Sequence, residues 1–128
     1  MSKGVLYGVG TGPGDPELLT IKAVRTIESC PVIAAPQTAD GVMVALDIVR
    51  GAVDLTGKTV IPVRFSMTRD LERRAAEHAS LVRELVAHLD AARDVALLNL
   101  GDPSIYATLQ RIANDVGARG CEARAMPG

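Results

Sequence analysis

Short apolar runs alternate along the chain with longer stretches in which apolar residues recur every three or four positions. A short apolar run bounded by Gly or Pro is typical of a strand, and the wider spacing is typical of a helix with one buried face. The predicted strands are residues 5–7, 32–35, 59–61, 95–98 and 122–126, with Pro36 ending the second. The predicted helices are residues 17–29, 42–53, 71–89 and 104–116.

Residues 71–89 carry the longest helical pattern, with arginines and glutamates on one face. Its predicted buried face consists of Ala75, Val82, Leu85, Val86 and Leu89. Residues 95–98 are apolar at every position, and a strand of that kind is buried on both faces of a sheet.

Strands and helices alternate from end to end, so the sequence predicts an α/β fold with a mainly parallel five-stranded sheet and helices on both faces. The 128 residues fit one compact domain, residues 1–128. Ligands of such sheets bind at the carboxyl ends of the strands. Functional residues are therefore expected directly after the predicted strands.

Composition fits this fold and narrows the class of partner. Apolar residues make up 48% of the chain but aromatic residues only 2%, so the core is expected to be aliphatic. The formal net charge is -1, and no block of like charges occurs. That balance argues against DNA or RNA as the main partner.

Cysteine usage and the first residues indicate a compartment. Cys30 and Cys121 form no CxxC pair, so both are expected to be small buried hydrophobic side chains in a reducing compartment. Residues 1–4 lead into an apolar run that glycines interrupt at once, so neither a signal peptide nor a membrane span is predicted. The expected location is the cytoplasm.

A glycine-rich loop follows the first predicted strand. Glycines stand at alternate positions, which lets a backbone approach another surface closely; they are Gly8, Gly10, Gly12 and Gly14. The next helix is expected to start with Asp15 as N-cap, Pro16 as first helical residue and Glu17 in the first turn.

Two common phosphate-binding patterns do not fit this sequence. The dinucleotide fingerprint GxGxxG would need a third glycine where Pro13 or Asp15 stands. A Walker loop ending at Gly57-Lys58-Thr59 would need its first glycine where Ala52 stands, and it would have to lead into a helix.

A second loop, GDPSIY at residues 101–106, follows the fourth predicted strand. Its Asp-Pro pair favours a turn, and the Asp102 carboxylate can cap the helix that begins near Ser104. Because both loops leave the carboxyl ends of parallel strands, one ligand could contact both. Capping and ligand binding are compatible interpretations of Asp102.

These loops resemble the motifs of the tetrapyrrole methylases, which are class III S-adenosylmethionine-dependent methyltransferases. The family has a GxGxGDPxLLT-type loop after its first strand, a GDPxxY or GDPxxF loop after its fourth and a Pro-Gly loop after its fifth. The chain carries GTGPGDPELLT at residues 10–20, GDPSIY at 101–106 and MPG at 126–128. This resemblance covers the whole chain. It implies that residues 1–128 are the N-terminal cofactor-binding domain, and that the family's second α/β domain is absent from this chain.

Residues 64–70 and 99–108 are most similar to the branch that methylates carbon 20 of precorrin-2, although Ser66 and Ala107 depart from its pattern. The similarity implies methyl transfer to precorrin-2, or to cobalt-factor II, in cobalamin biosynthesis. It also implies a homodimer at full length and an inactive fragment when residues 1–128 stand alone. Another corrin position, the diphthine precursor and a non-catalytic nucleotide-binding module are the alternatives.

The resemblance also assigns site residues. S-adenosylmethionine is the implied cofactor and no metal is implied, because the sulfonium is already an activated methyl donor. The implied cofactor-binding residues are Pro13, Leu100, Gly101, Asp102, Pro103, Ile105 and Tyr106. Arginines suit the many carboxylates of a tetrapyrrole. The expected substrate-binding residues are Gly12, Arg64 and Arg69, with both arginines in the loop after the third strand; Asp15 is the candidate catalytic residue.

Overall fold

The computed structural model of the chain describes residues 3–11, 19–37, 41–64, 70–99 and 103–126, with the backbone alone described at 103–106 and 125–126. The strands are β1 (Val5–Gly10), β2 (Val32–Gln37), β3 (Thr59–Arg64), β4 (Val95–Asn99) and β5 (Glu122–Met126). The helices are α1 (Ile21–Ser29), α2 (Val44–Arg50), α3 (Leu71–Asp90) and α4 (Pro103–Ala118).

The five strands form one sheet in the order β3-β2-β4-β1-β5. All four neighbouring pairs are parallel, which confirms the predicted α/β fold with a parallel five-stranded sheet. Strand β4 lies at the centre and pairs with both β2 and β1. The sheet therefore consists of two strand pairs, β3-β2 and β1-β5, that β4 joins.

Each face of the sheet buries its own aliphatic cluster, and helices cover both faces as predicted. Leu85 and Leu89 of α3 and Ile112 of α4 pack against one face. Ile27 of α1 and Val49 of α2 pack against the other. Burial of one such side chain contributes about 1.5–3 kcal/mol, so the two clusters supply most of the drive for folding.

The central strand β4 contributes to both clusters. Leu97 faces α3 and α4, whereas the next residue, Leu98, faces α1 and α2. Successive side chains of a strand point to opposite faces, so a strand buried on both sides needs apolar residues at every position. The predicted burial of residues 95–98 is confirmed.

The start of α1 differs from the prediction. Thr20 is the N-cap of this helix, and its hydroxyl oxygen accepts a hydrogen bond of 3.0 Å from the Ala23 backbone N–H. The predicted start of α1 at Glu17, with Asp15 as the cap, is therefore wrong. Thr20 is a second residue able to cap a helix, and it lies closer to the buried apolar residues of α1. Asp15 and Glu17 themselves lie outside the described residues.

Strand β2 extends past the position where the sequence predicts its end. It continues through Pro36 to Gln37, opposite Val63 and Arg64 of β3. Proline has no N–H to donate to a neighbouring strand. The missing N–H of Pro36 leaves no hydrogen bond to β4 unmade, because β2 pairs with β4 only over residues 32–34.

Helix α3 is longer than the strands it covers. Its 20 residues span about 30 Å, whereas the five residues of β4 span about 17 Å. Leu85 and Leu89 are buried, but Leu71 and Ala75 are exposed, so the predicted burial of Ala75 is wrong. The first turns of α3 therefore extend past the carboxyl ends of the strands.

Candidate functional site

The carboxyl ends of β1 and β4 meet at the same edge of the sheet. Gly10, the last residue of β1, lies opposite Asn99, the last residue of β4. The next residue, Thr11, donates to the Asn99 carbonyl oxygen twice, from its backbone N–H at 2.8 Å and from its hydroxyl at 3.2 Å. Thr11 is fully buried. Two adjacent hydrogen bonds thus hold the start of the glycine-rich loop against the end of β4.

The chain leaves these two strand ends toward opposite faces of the sheet. After β1 it passes to α1, which packs on the same face as α2. After β4 it enters α4 on the face of α3, with Pro103 as its first residue. Neighbouring parallel strands whose connections go to opposite faces leave a crevice between them, and ligands of α/β proteins bind there. We define this place, bounded by Thr11, Asn99 and Pro103, as the candidate crevice.

Most of the sequence-predicted site residues lie in the two loops that follow these strand ends. Those outside the described residues are Gly12, Pro13, Asp15, Arg69, Leu100, Gly101 and Asp102. Three others, Pro103, Ile105 and Tyr106, lie in the first turn of α4, where the backbone is described. The described backbone that precedes both loops, at Thr11 and Asn99, and the first residue of α4 bound the candidate crevice.

Arg64 is the last residue of β3 and not part of the following loop, which corrects its predicted position. Its Nε–H donates to Oε1 of Gln37 at 3.1 Å, and Gln37 is its cross-strand neighbour at the end of β2. The Nε2 group of Gln37 donates in turn to the Gly41 carbonyl oxygen at 3.3 Å. Gly41 has a φ of 85°, a conformation that glycine adopts without strain.

Sequence reasoning found Arg64 but missed Thr11 and Gln37. Nothing in the pattern of apolar and polar residues distinguishes a glutamine that hydrogen-bonds to a neighbouring strand from one that is solvated. The hydroxyl of Thr11 bonds to Asn99, 88 positions away, and only the strand order brings the two together.

Large apolar side chains are exposed at the carboxyl edge of the sheet. Ile21 is 72% exposed and Leu71 is 73% exposed, and both are the first residues of helices that follow strands. Val42 and Val44, at the start of α2, are partly exposed as well.

The thiols lie away from the crevice, at the opposite edge of the sheet. Cys30, two residues before the start of β2, and Cys121, directly before β5, are free and buried, as predicted. Burial, with a smaller contribution from the Asp94 carboxylate, raises the pKa of the Cys30 thiol to about 11. A buried thiol with that pKa stays protonated near neutral pH, which agrees with the predicted structural role of Cys30.

Within residues 3–11, 19–37, 41–64, 70–99 and 103–126, no group of His, Cys, Asp and Glu side chains could hold a metal ion. The two histidines of the chain have side-chain partners: His78 of α3 pairs with Asp115 of α4, and Nδ1 of His88 lies 2.8 Å from a guanidinium nitrogen of Arg93. No helix in the described part of the chain is long and apolar enough to cross a bilayer.

Comparison with known proteins identifies the family. A family model described as tetrapyrrole (corrin/porphyrin) methylases matches residues 5–128. The chain belongs to this family. The match begins at the first residue of β1 and includes the segments that follow β1 and β4.

Curated tetrapyrrole methylases are similar over most of the chain. The cobalamin biosynthesis protein CobIJ of Mycobacterium tuberculosis is 36% identical over 118 residues, which is 87% of this chain and 23% of that protein. A probable cobalt-precorrin-2 C(20)-methyltransferase of Methanocaldococcus jannaschii is 31% identical over 124 residues, 96% of this chain and 52% of that protein. Other matches at 28% identity are named for uroporphyrinogen-III and for carbon 11 of precorrin-4.

A solved structure has the same fold. It is the uroporphyrin-III C-methyl transferase of Thermus thermophilus complexed with S-adenyl homocysteine, with a TM-score of 0.66 and 27% sequence identity. The alignment covers 98% of this chain and 48% of that one. The chain thus spans between about a quarter and a half of the length of the tetrapyrrole methylases it matches.

Proposed function

We propose that the protein containing this chain is an S-adenosylmethionine-dependent methyltransferase that acts on a tetrapyrrole in cobalamin biosynthesis. The observation that carries the proposal is the adjacency of β1 and β4, with Gly10 opposite Asn99. Both family motif loops start from these two strand ends, and their connections leave toward opposite faces. A cofactor that contacts both loops at once fits that arrangement.

The cofactor, when bound, supplies a methyl group on a positively charged sulfur. The protein then has to bind it, orient the methyl carbon toward a ring carbon of the tetrapyrrole and exclude water. We assign cofactor binding to the loop after β4 and the first turn of α4, and the residues are Leu100, Gly101, Asp102, Pro103, Ile105 and Tyr106. Pro13 is assigned to the same ligand from the loop after β1.

Substrate binding is assigned to the carboxyl edge around the crevice. Gly12 belongs to the glycine-rich loop, and Arg64 and Arg69 offer guanidinium groups to the carboxylates of the tetrapyrrole. Asp15 is the candidate catalytic group, compatible with a role in orienting the substrate. The second domain that family members have after the Pro-Gly loop would close the crevice from the other side.

For the methylated position we propose carbon 20 of precorrin-2 or of cobalt-factor II. The support is the Methanocaldococcus relative named for this position, which matches 96% of the chain. Carbon 11 of precorrin-4 and uroporphyrinogen-III are the competing targets, supported by relatives at 28% identity.

Cofactor binding and methyl transfer test the proposal separately. Isothermal titration of the full-length protein with S-adenosylhomocysteine should give saturable binding, and titration with ATP should give none. Methylation assays with precorrin-2, cobalt-factor II, precorrin-4 and uroporphyrinogen-III should show turnover of one of the first two. Binding of ATP but not of S-adenosylhomocysteine would favour a nucleotide-binding module and exclude the methyltransferase.

Two substitutions localise the cofactor. Gly101→Val adds a branched side chain where the ligand meets the backbone, and Asp102→Ala removes a hydrogen-bond acceptor. Each should weaken S-adenosylhomocysteine binding roughly tenfold or more. Unchanged affinity in both variants would remove these residues from the cofactor site.

A further inference from the structure

Gln37 makes two side-chain hydrogen bonds at the carboxyl edge of the sheet, one from each end of its amide. The oxygen accepts from Nε of Arg64 at 3.1 Å, and the nitrogen donates to the Gly41 carbonyl oxygen at 3.3 Å. The amide is thus fixed between the neighbouring strand and the segment that leads into α2. Its carbonyl oxygen is presented to Arg64 in one orientation.

An arginine at a strand end has many accessible rotamers, and fixing them costs up to about 2 kcal/mol. Arg64 is exposed, so packing does little to select its conformation. The bond to Gln37 uses Nε–H, one of the five N–H donors of the guanidinium, and thereby fixes the plane of the group. A planar guanidinium whose orientation is already fixed binds a carboxylate at a lower entropic cost.

Gln37 and Arg64 also lie at a suitable distance from the candidate crevice. They are cross-strand neighbours on β2 and β3, and β2 is the direct neighbour of β4. Adjacent strands lie about 4.8 Å apart, so Arg64 is roughly 10 Å from the line of β4. That separation suits a contact with a peripheral group of a wide ring whose centre lies near the crevice.

The two side chains point to the face of the sheet where the glycine-rich loop connects to α1. Gln37 follows Ala35 at a spacing of two, and Ala35 packs against α1 and α2. Arg64 follows Val63, which packs on the opposite face. The hydrogen-bonded pair therefore flanks the crevice on the α1 side.

We propose that Gln37 is a positioning residue, which orients the Arg64 guanidinium to bind a carboxylate of the tetrapyrrole and so contributes to substrate recognition. The proposal rests on the proposed function, because it takes a polycarboxylate tetrapyrrole as the substrate. Gln37 acts through Arg64 and does not contact the reacting atoms. Its effect belongs to substrate binding and not to the methyl-transfer step.

A double-mutant cycle in the full-length protein tests this role. The substrate is the ring, cobalt-free or cobalt-loaded, that the wild type methylates. Arg64→Met should raise KM for the tetrapyrrole about tenfold, and Gln37→Met, which is close to glutamine in size, about threefold. In both variants kcat and the KM for S-adenosylmethionine should stay as in the wild type. The double variant should match Arg64→Met alone, since Gln37 has nothing left to orient.

Gln110→Met is the matched control, because Gln110 lies on the exposed face of α4 and bonds to Asn114 of the same helix. It should leave all three kinetic constants unchanged. Melting temperatures of all variants exclude a general loss of structure, and Gln37→Leu replaces Gln37→Met if the latter proves unstable.

The outcomes separate this proposal from the proposed function. If the wild type methylates the tetrapyrrole and Gln37→Met has the same KM for it, the positioning role is overturned and the methyltransferase stays intact. The same holds if the two increases in KM multiply in the double variant. A wild type that methylates no tetrapyrrole overturns both. A rise in KM for the tetrapyrrole that disappears in the Arg64→Met background supports the role of Gln37.

Discussion

Thr11 connects the two strand ends that form the candidate crevice, and its side chain can be tested directly. Thr11→Val keeps the shape and the backbone bond to Asn99 but removes the hydroxyl bond. We expect a loss of about 1 kcal/mol in the free energy of unfolding. S-adenosylhomocysteine binding should weaken as well, because Thr11, directly before the loop, keeps only one of its two hydrogen bonds to Asn99.

Thr11→Ser is the matched control, since it keeps the hydroxyl and removes a methyl group. Urea unfolding and calorimetric titration of both variants provide the comparison. If Thr11→Val binds and unfolds like Thr11→Ser, the hydroxyl bond contributes nothing to the site.

Cys30 should make the free energy of unfolding fall as the pH rises in the alkaline range. Burial raises the pKa of its thiol from 9.0 to about 11. Well below pH 9.0 the thiol keeps its proton in both the folded and the unfolded chain, so the full stability is present. Between pH 9 and about 11 the unfolded chain ionises first, so the stability falls, by up to about 1.4 kcal/mol per pH unit.

Urea unfolding of the wild type and of Cys30→Ala between pH 8 and pH 11 measures this contribution. Cys30→Ala starts from a lower stability, because it leaves a small cavity, but its decline with pH should be shallower. Parallel pH curves for the two proteins would contradict the assigned pKa.

Single residues differ in how far the sequence predicts them. Burial of Cys30 and Cys121 follows from residue type and is confirmed. The contacts of Gln37 do not follow, because its partner Arg64 is 27 positions away and becomes its neighbour only through strand pairing.

At the scale of elements, the end of α3 contains a strained residue. Ala92, directly after the C-cap Ala91, has a φ of 63°, in the left-handed region that favours glycine. Ala92→Gly should therefore raise the free energy of unfolding by about 1 kcal/mol. Thermal and urea unfolding of the variant measure the gain.

Ala91→Gly is the appropriate control, because Ala91 has a φ of -84° and gains nothing from glycine. It should lower the stability by roughly 0.5 kcal/mol through the added backbone freedom of the unfolded chain. Equal effects of the two substitutions would show that the left-handed conformation is not the source of the strain.

Long periodic elements were predictable, and element boundaries were less so. Helix α3 follows from its spacing of apolar residues, and β4 follows from its unbroken apolar run. The start of α1 did not follow, since Asp15 and Thr20 both offer an oxygen for capping and local preference does not choose between them. Packing of Ala23 and Ile27 against the sheet selects Thr20.

At the scale of the whole molecule, the alternation of elements predicted a parallel sheet but not the order of its strands. In the order β3-β2-β4-β1-β5 the ends of β1 and β4 are neighbours. Their last residues, Gly10 and Asn99, are 89 positions apart in the sequence. Contacts of that separation leave no local pattern in a sequence. The family motifs gave the two loops, and the strand order shows that their starting points meet.

The central position of β4 also determines when this sheet can form. Synthesis proceeds from the N-terminal to the C-terminal side of a protein. Until residues 95–99 emerge, β2 can therefore pair only with β3, and β1 has neither of its neighbours, β4 and β5. Strands β1 to β3 and helices α1 to α3 therefore have no completed core until the five residues of β4 are made. Parallel pairing between distant segments is intrinsically slow. During that interval the nascent chain exposes the aliphatic residues that later pack on both faces of the sheet.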